Sequence, residues 1–206
     1  MRAPEKLAAI GGPSVSSPPD DSLLLESYGT VGEELSKLLR RKNGFFAFES
    51  ALHLFPFGGR EGLEEWNTSS CWRYTYDDLV PNAFFFAEDI FGNQFSIFDD
   101  HVYLFDAETG DMTLFAKDLD AWAEAVLRDF NVQLGFPAAH EWQTRNGKLL
   151  ATDRLVPKIP FVCGGAYATE NLYAVARVKA MRSRGNFAKQ IRDLPNGSKI
   201  EFKIVD

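Results

Sequence analysis

Between residues 83 and 116 the chain offers four short β-prone runs with turn residues between them. The runs are 83–88, 94–98, 101–106 and 111–116, and the breaks fall at Gly92-Asn93, Asp99-Asp100 and Glu108-Thr109-Gly110. Connections this short cannot carry a parallel crossover, which needs about a dozen residues or more. The segment is therefore expected to be an antiparallel four-stranded meander joined by hairpins. A helix is expected over 118–130. Leu119, Trp122, Ala123, Val126, Leu127 and Phe130 recur at helical spacing, and Asp118 stands as N-cap. A meander beside a helix with one apolar face sets the fold class: α+β, an antiparallel sheet covered by helices.

The flanking segments extend this scheme. Thr30 and Glu33 have capping-box spacing, and Val31, Leu35, Leu38 and Leu39 make one helical stripe that Asn43-Gly44 ends. Residues 45–56 are apolar almost throughout, and periodicity leaves helix and strand both open there. Residues 60–80 are expected to form short helices with loops. Beyond 135, a short helix (136–146), strands at 159–163 and 171–178, and a helix over 179–194 are expected. Met181, Phe187, Ala188, Ile191 and Leu194 would be the inner face of that last helix. Residues 199–204 alternate polar and apolar like an edge strand. Residues 1–21, rich in Pro, Gly, Ser and Ala, read as a flexible leader, and 22–206 as a single domain.

Composition excludes several classes. The 206 residues include 18 Phe, enough ring area for a packed core without disulfides or metal. The two cysteines, Cys71 and Cys163, make no disulfide framework and suit a reducing compartment. No apolar run has the roughly 20 residues that a membrane span needs, and no signal-peptide core is present, so a cytoplasmic protein is expected. Charge is unevenly spread. Residues 44–130 carry 17 acidic and 4 basic side chains, whereas 151–206 carry 5 acidic and 10 basic. The acidic segment would repel nucleic acid and attract a basic partner.

No catalytic constellation is complete. His140-Glu141-Trp142-Gln143-Thr144 begins like a zinc-protease helix but has Thr144 where the second His must stand. No phosphate loop, dinucleotide fingerprint or nucleophile elbow is present. The acids come as neighbours (Asp77-Asp78, Glu88-Asp89, Asp99-Asp100), and adjacent residues on a strand point to opposite faces, which does not suit a shared substrate. No catalytic, cofactor or metal residue is therefore assigned. An acidic, aromatic-rich surface instead suits protein recognition, with rings as anchors and charge steering the encounter. The expected partner-binding residues are Asp77, Asp78, Glu88, Asp89, Asp99 and Asp100, with Trp66, Trp72 and Tyr76 as anchors.

Two stretches carry a family resemblance. One runs from Asn43-Gly44-Phe45 through Phe48-Glu49-Ser50-Ala51-Leu52 to Phe55-Pro56. The other runs from Phe85-Phe86-Ala87-Glu88-Asp89-Ile90-Phe91-Gly92-Asn93-Gln94-Phe95 to Tyr103-Leu104-Phe105-Asp106 and Glu108-Thr109-Gly110. Together they resemble the SUKH superfamily, which includes yeast regulators of cell-wall glucan synthesis and many bacterial proteins. The resemblance covers about 30–135. The segment Pro160-Phe161 to Gly164-Gly165, Asn171-Leu172-Tyr173 and Gln190-Ile191 resembles the C-terminal extension (136–206) of longer bacterial members. It implies an α+β fold without a fixed catalytic set. Its functional implication is a cytoplasmic immunity protein that binds and neutralises a cognate toxin by occlusion, for example a basic nuclease-type effector. A regulatory or scaffolding module, and an enzyme of unrecognised type, are the alternatives.

Overall fold

The computed structural model describes residues 1–20, 22–195 and 197–200. The chain is α+β. Helices α1 (Ala3–Ile10) and α2 (Gly29–Arg41) precede two short strands, β1 (Phe45–Ala47) and β2 (Leu52–Leu54), and a single-turn helix, α3 (Leu63–Trp66). Four strands follow: β3 (Phe84–Glu88), β4 (Gln94–Phe98), β5 (His101–Phe105) and β6 (Met112–Ala116). Helices α4 (Leu119–Arg128), α5 (Phe130–Gln133) and α6 (Phe136–Asn146) come next, then β7 (Asp153–Pro157), β8 (Leu172–Ala176) and α7 (Arg177–Ile191).

Strands β1 to β6 form one antiparallel sheet in sequence order, and β7 pairs with β8 in a second, two-stranded sheet. The expected meander is present, and it is longer by β1 and β2. The apolar run 45–56 is thus a strand pair, turned by Phe48, Glu49 and Ser50, all at positive φ. On one face, Phe86 and Phe95 pack edge-on against Trp122 of α4, whose N-cap Asp118 accepts from the Ala121 amide as expected. On the other, Phe85 and Phe105 meet Trp72 and Tyr76. Both faces are covered there, so β3 is buried along its whole length, as for any strand with layers on both sides.

Several expectations need correction. The segment 1–21 is no loose leader in its first half. Pro4 starts α1 at a position where its missing N–H costs nothing, and Ala3, Leu7 and Ala8 are buried in the core with α4. The chain then runs along β1, where Gly12 donates to Phe46 O (2.7 Å) and Val15 to Gly44 O (2.9 Å). The 159–163 strand is a single helical turn (Phe161–Cys163), broken by Pro160 and by Gly164 at φ +85°. Strand β7, not expected, ends at Pro157, which a two-stranded ribbon tolerates because each strand is an edge. The inner face of α7 is Arg177, Ala180, Met181, Arg184, Gly185 and Ala188, whereas Leu194 is exposed. Of the expected strand 199–204, residues 201–204 lie outside the described residues.

Candidate protein-binding face and the buried ion cluster

The nine residues expected to bind a partner separate into two groups. Five are interior. Trp66, Trp72 and Tyr76 have no exposed surface and join a continuous ring cluster with Phe55, Phe85 and Phe105. Trp66 Nε1 donates to Gln94 Oε1 (2.9 Å) and Tyr76 Oη to Ala107 O (2.5 Å), which satisfies their polar atoms inside. Glu88 and Asp89 are buried as well. These five cannot be surface contacts: Trp66, Trp72 and Tyr76 are packed into the layer that covers one face of the sheet, and Glu88 and Asp89 lie under the elements that cover β3 and the chain after it.

Glu88 is instead the centre of an ion cluster that joins the meander to the C-terminal part. Arg154 Nη2 from β7 lies 2.6 Å from Glu88 Oε1, and Arg177 Nη1 from α7 lies 3.7 Å from it. Gln94 Nε2 donates to Glu88 Oε2 (3.3 Å). Arg177 also pairs with Glu61 (2.7 Å). His53 Nδ1 from β2 lies 3.1 Å from Glu88 Oε1 and 2.8 Å from Arg177 Nη1. That nitrogen serves one of them at a time: protonated it donates to Glu88, bare it accepts from Arg177. The ring is stacked on Phe46 (4.1 Å between centroids).

Burial alone would push the Glu88 carboxyl up, but Arg154, His53 and Arg177 outweigh it and hold it at about 2. Burial drives His53 the other way, to about 3, so its imidazole is neutral. Arg154 is fully enclosed and His53 nearly so. A carboxylate beside an imidazole could serve acid–base chemistry, but these atoms present no surface to a substrate. Their task is to hold β2, β3, β7 and α7 in one arrangement. Burial also raises the Cys71 thiol to about 11, which keeps it protonated near neutral pH.

The remaining acids are exposed. Asp78 forms a two-pronged pair with Arg192 (2.6 and 3.0 Å), which holds its carboxyl below the usual range. Asp100 accepts from the Val31 amide (2.9 Å) and so caps α2 from the β4–β5 turn; Thr30 makes no side-chain cap. Asp77 and Asp99 are solvent-facing, both at positive φ. Bases of the C-terminal part thus pair with Glu61, Asp78 and Glu88 of the acidic segment within the molecule.

A surface that sequence reasoning missed lies beside Asp99. Ser96 pairs with Tyr103 and Tyr103 with Leu114, so Phe98, Tyr103 and Leu114 project from one sheet face. Phe98 is 39% exposed and Leu114 61%; Tyr103 is half-buried and meets Phe98 edge-on (5.6 Å). The two-residue Asp99-Asp100 turn, with both φ positive, tops this corner. His101 Nδ1 braces the turn on Asp99 O (2.6 Å). Strand β6 forms one margin of the sheet, and its outer edge pairs with no strand among the described residues. The opposite margin, β1, is covered by 12–16. The signal in the sequence was Phe98 immediately before a two-Asp turn, together with Leu114 flanked by Thr113 and Phe115 on a last strand.

No family model matches the chain, and no curated protein matches it. Among solved structures, the crystal structure of Atu4351 from Agrobacterium tumefaciens superposes with a TM-score of 0.59 at 14% identity, covering 88% of this chain and 87% of that one. The likeness establishes a shared fold. Among the described residues, no helix is long and apolar enough to cross a membrane, and no group of three or more His, Cys, Asp or Glu side chains is placed to hold a metal ion.

Proposed function

We propose that the protein is a non-enzymatic binding protein of the cytoplasm. In this reading it is an immunity protein that occludes a cognate bacterial toxin. The observation that carries it is the corner formed by Phe98, Tyr103 and Leu114, with the open edge of β6 along one side and Asp99 above. An exposed ring, a half-buried one and an exposed leucine beside free strand amides and carbonyls offer both the anchors and the backbone pairing that protein recognition uses. Such an edge is ordinarily protected from other chains. The opposite margin is protected here, which makes the open one notable.

The resemblance to the SUKH superfamily supports the choice of a toxin as partner. A net charge of −7 favours encounter with a basic effector, such as a nuclease. Burial of Glu88 and Asp89 and pairing of Asp78 narrow the acidic contribution to Asp77, Asp99 and their exposed neighbours.

The test is protection. The chain is co-expressed in turn with candidate basic nuclease-type toxins, and growth is followed. Wild type is expected to restore growth, and Leu114→Arg to lose protection while remaining folded. Protection by Leu114→Arg equal to wild type would overturn this assignment of the face; failure of wild type to protect would overturn the immunity reading.

A further inference from the structure

A second recess lies at the other end of β5, away from the Phe98 corner. It is a cleft of about 250 Å³ between the β5–β6 turn and the loop after β7. Its polar side is Glu108 with Asp106, and its apolar side is Phe91, Phe161 and Tyr167. Phe161 and Tyr167 are stacked (3.8 Å between centroids, 8° between planes), and Phe91 meets both edge-on. Glu108 is only 6% exposed. Its Oε2 accepts from the Val162 amide (3.0 Å), while its Oε1 has no hydrogen-bond partner among the described residues. An unanswered carboxylate oxygen in so enclosed a place is costly unless a donor reaches it.

Arg184 also lines the cleft; its Nη1 and Nη2 donate to the carbonyls of Phe91 and Leu155, and its Nε has no hydrogen-bond partner among the described residues. Its charge is set against buried Asp89 as well as Glu108. Asp106 and Glu108 together outweigh it, so the cleft favours a cation. A flat cation with several N–H donors fits best. It can lie against a ring face and donate to a carboxylate in the same pose, whereas a compact ammonium offers no plane to stack.

We propose that this cleft binds a guanidinium group, stacked on Tyr167 and donating to Glu108 Oε1. Two sources present that chemistry: a free guanidine-bearing small molecule, or an arginine side chain of another protein. The cleft is separate from the Phe98–Leu114 corner, which lies at the opposite end of the strand.

Isothermal titration with arginine methyl ester tests it on the full chain, with lysine methyl ester and the capped peptide Gly-Arg-Gly as further arms. Saturable binding of arginine methyl ester is expected, with the lysine ester weaker. Glu108→Gln is expected to weaken binding by roughly tenfold, the loss of one charge-assisted bond. Tyr167 is 69% exposed, so Tyr167→Ala tests the stacking without a burden on folding and is expected to weaken binding severalfold. Tighter binding of the peptide than of the ester assigns the site to a protein arginine, and the reverse to a free ligand. Absence of saturable binding by both guanidinium probes at millimolar concentration, or equal affinity in wild type and Tyr167→Ala, would overturn the proposal.

Discussion

Glu88 decides the most at the level of single residues. It lies at the end of a strand that is apolar up to that point, and its charge is met by Arg154 and Arg177 from the far end of the chain. Replacing one member of such a cluster leaves the rest buried without an answer. Glu88→Gln is expected to cost roughly 3–5 kcal/mol in urea unfolding, whereas exposed Asp99→Asn should stay within about 0.5 kcal/mol. Acid titration gives a second check. His53, depressed to about 3, contributes stability that is present above its unfolded value of 6.5 and lost as pH falls. Glu88, depressed to about 2, contributes stability that is present above 4.5 and lost below it. Asp89, raised by burial to about 7, acts in the opposite sense: its contribution is full below 3.8 and lost as pH rises through 7. His53 and Asp89 therefore offset each other between 4.5 and 6.5, and below 3.8, where Asp89 no longer offsets them, His53 and Glu88 fail together. The melting temperature should be nearly flat in the first window and fall steeply in the second. A steady decline from 6.5 would contradict these assignments. Adjacent acids in a sequence look like solvated turns. Glu88-Asp89 broke that reading because β3 has a layer on each face, and the unbroken apolar run before Glu88 was the available sign of it. Trp66, Trp72 and Tyr76 were assigned to the surface for their recognition value, and the area they bury outweighed that.

Elements differ in how openly they declare themselves. The meander and α4 were legible because period-2 runs, turn residues and an N-cap Asp all agreed. Helix α7 was legible as a helix but not in its orientation. Its buried stripe 177, 180, 181, 184, 185, 188 follows helical spacing without a fault, yet two members are arginines, and a hydrophobic pattern passes over them. Gly185 belongs to that stripe because a Cβ there would approach Tyr76 Cδ2 to 2.6 Å; it permits close packing rather than only weakening the helix. For α2 the local capping box named the wrong acceptor. The cap comes from Asp100, 69 residues on, which no local pattern reveals. Asp100→Ala is expected to destabilise the protein by about 1–2 kcal/mol, since it removes the cap and places Ala at φ +56°. Asp100→Asn, which keeps an oxygen and tolerates that φ, should lose less. Thermal melts of the two variants discriminate: equal losses would show that the cap carries no weight.

Across the whole molecule, acidic and basic parts of the chain lean on each other, and the N-terminal segment completes one margin of the sheet. Leu7 of α1 has no exposed surface. Leu7→Ala should therefore cost about 2–5 kcal/mol by chemical denaturation; a loss under 0.5 kcal/mol would mean that α1 does not belong to the core. The candidate binding face left only a faint signal in the sequence, Phe98 before a two-Asp turn and Leu114 on the last meander strand, because it depends on which strand is left as the open margin and which side chains share a face there. That is settled by how many strands join the sheet, and β1 and β2 were ambiguous in the sequence. The most direct measurement is the affinity for the proposed toxin partner, by calorimetry, for wild type, for Phe98→Ala with Leu114→Arg, and for Asp78→Lys. The double variant is expected to weaken the complex at least a hundredfold, about 2.7 kcal/mol or more, with Asp78→Lys near wild type. A double variant that binds as tightly as wild type would contradict the assignment of the Phe98–Leu114 corner as the surface that binds.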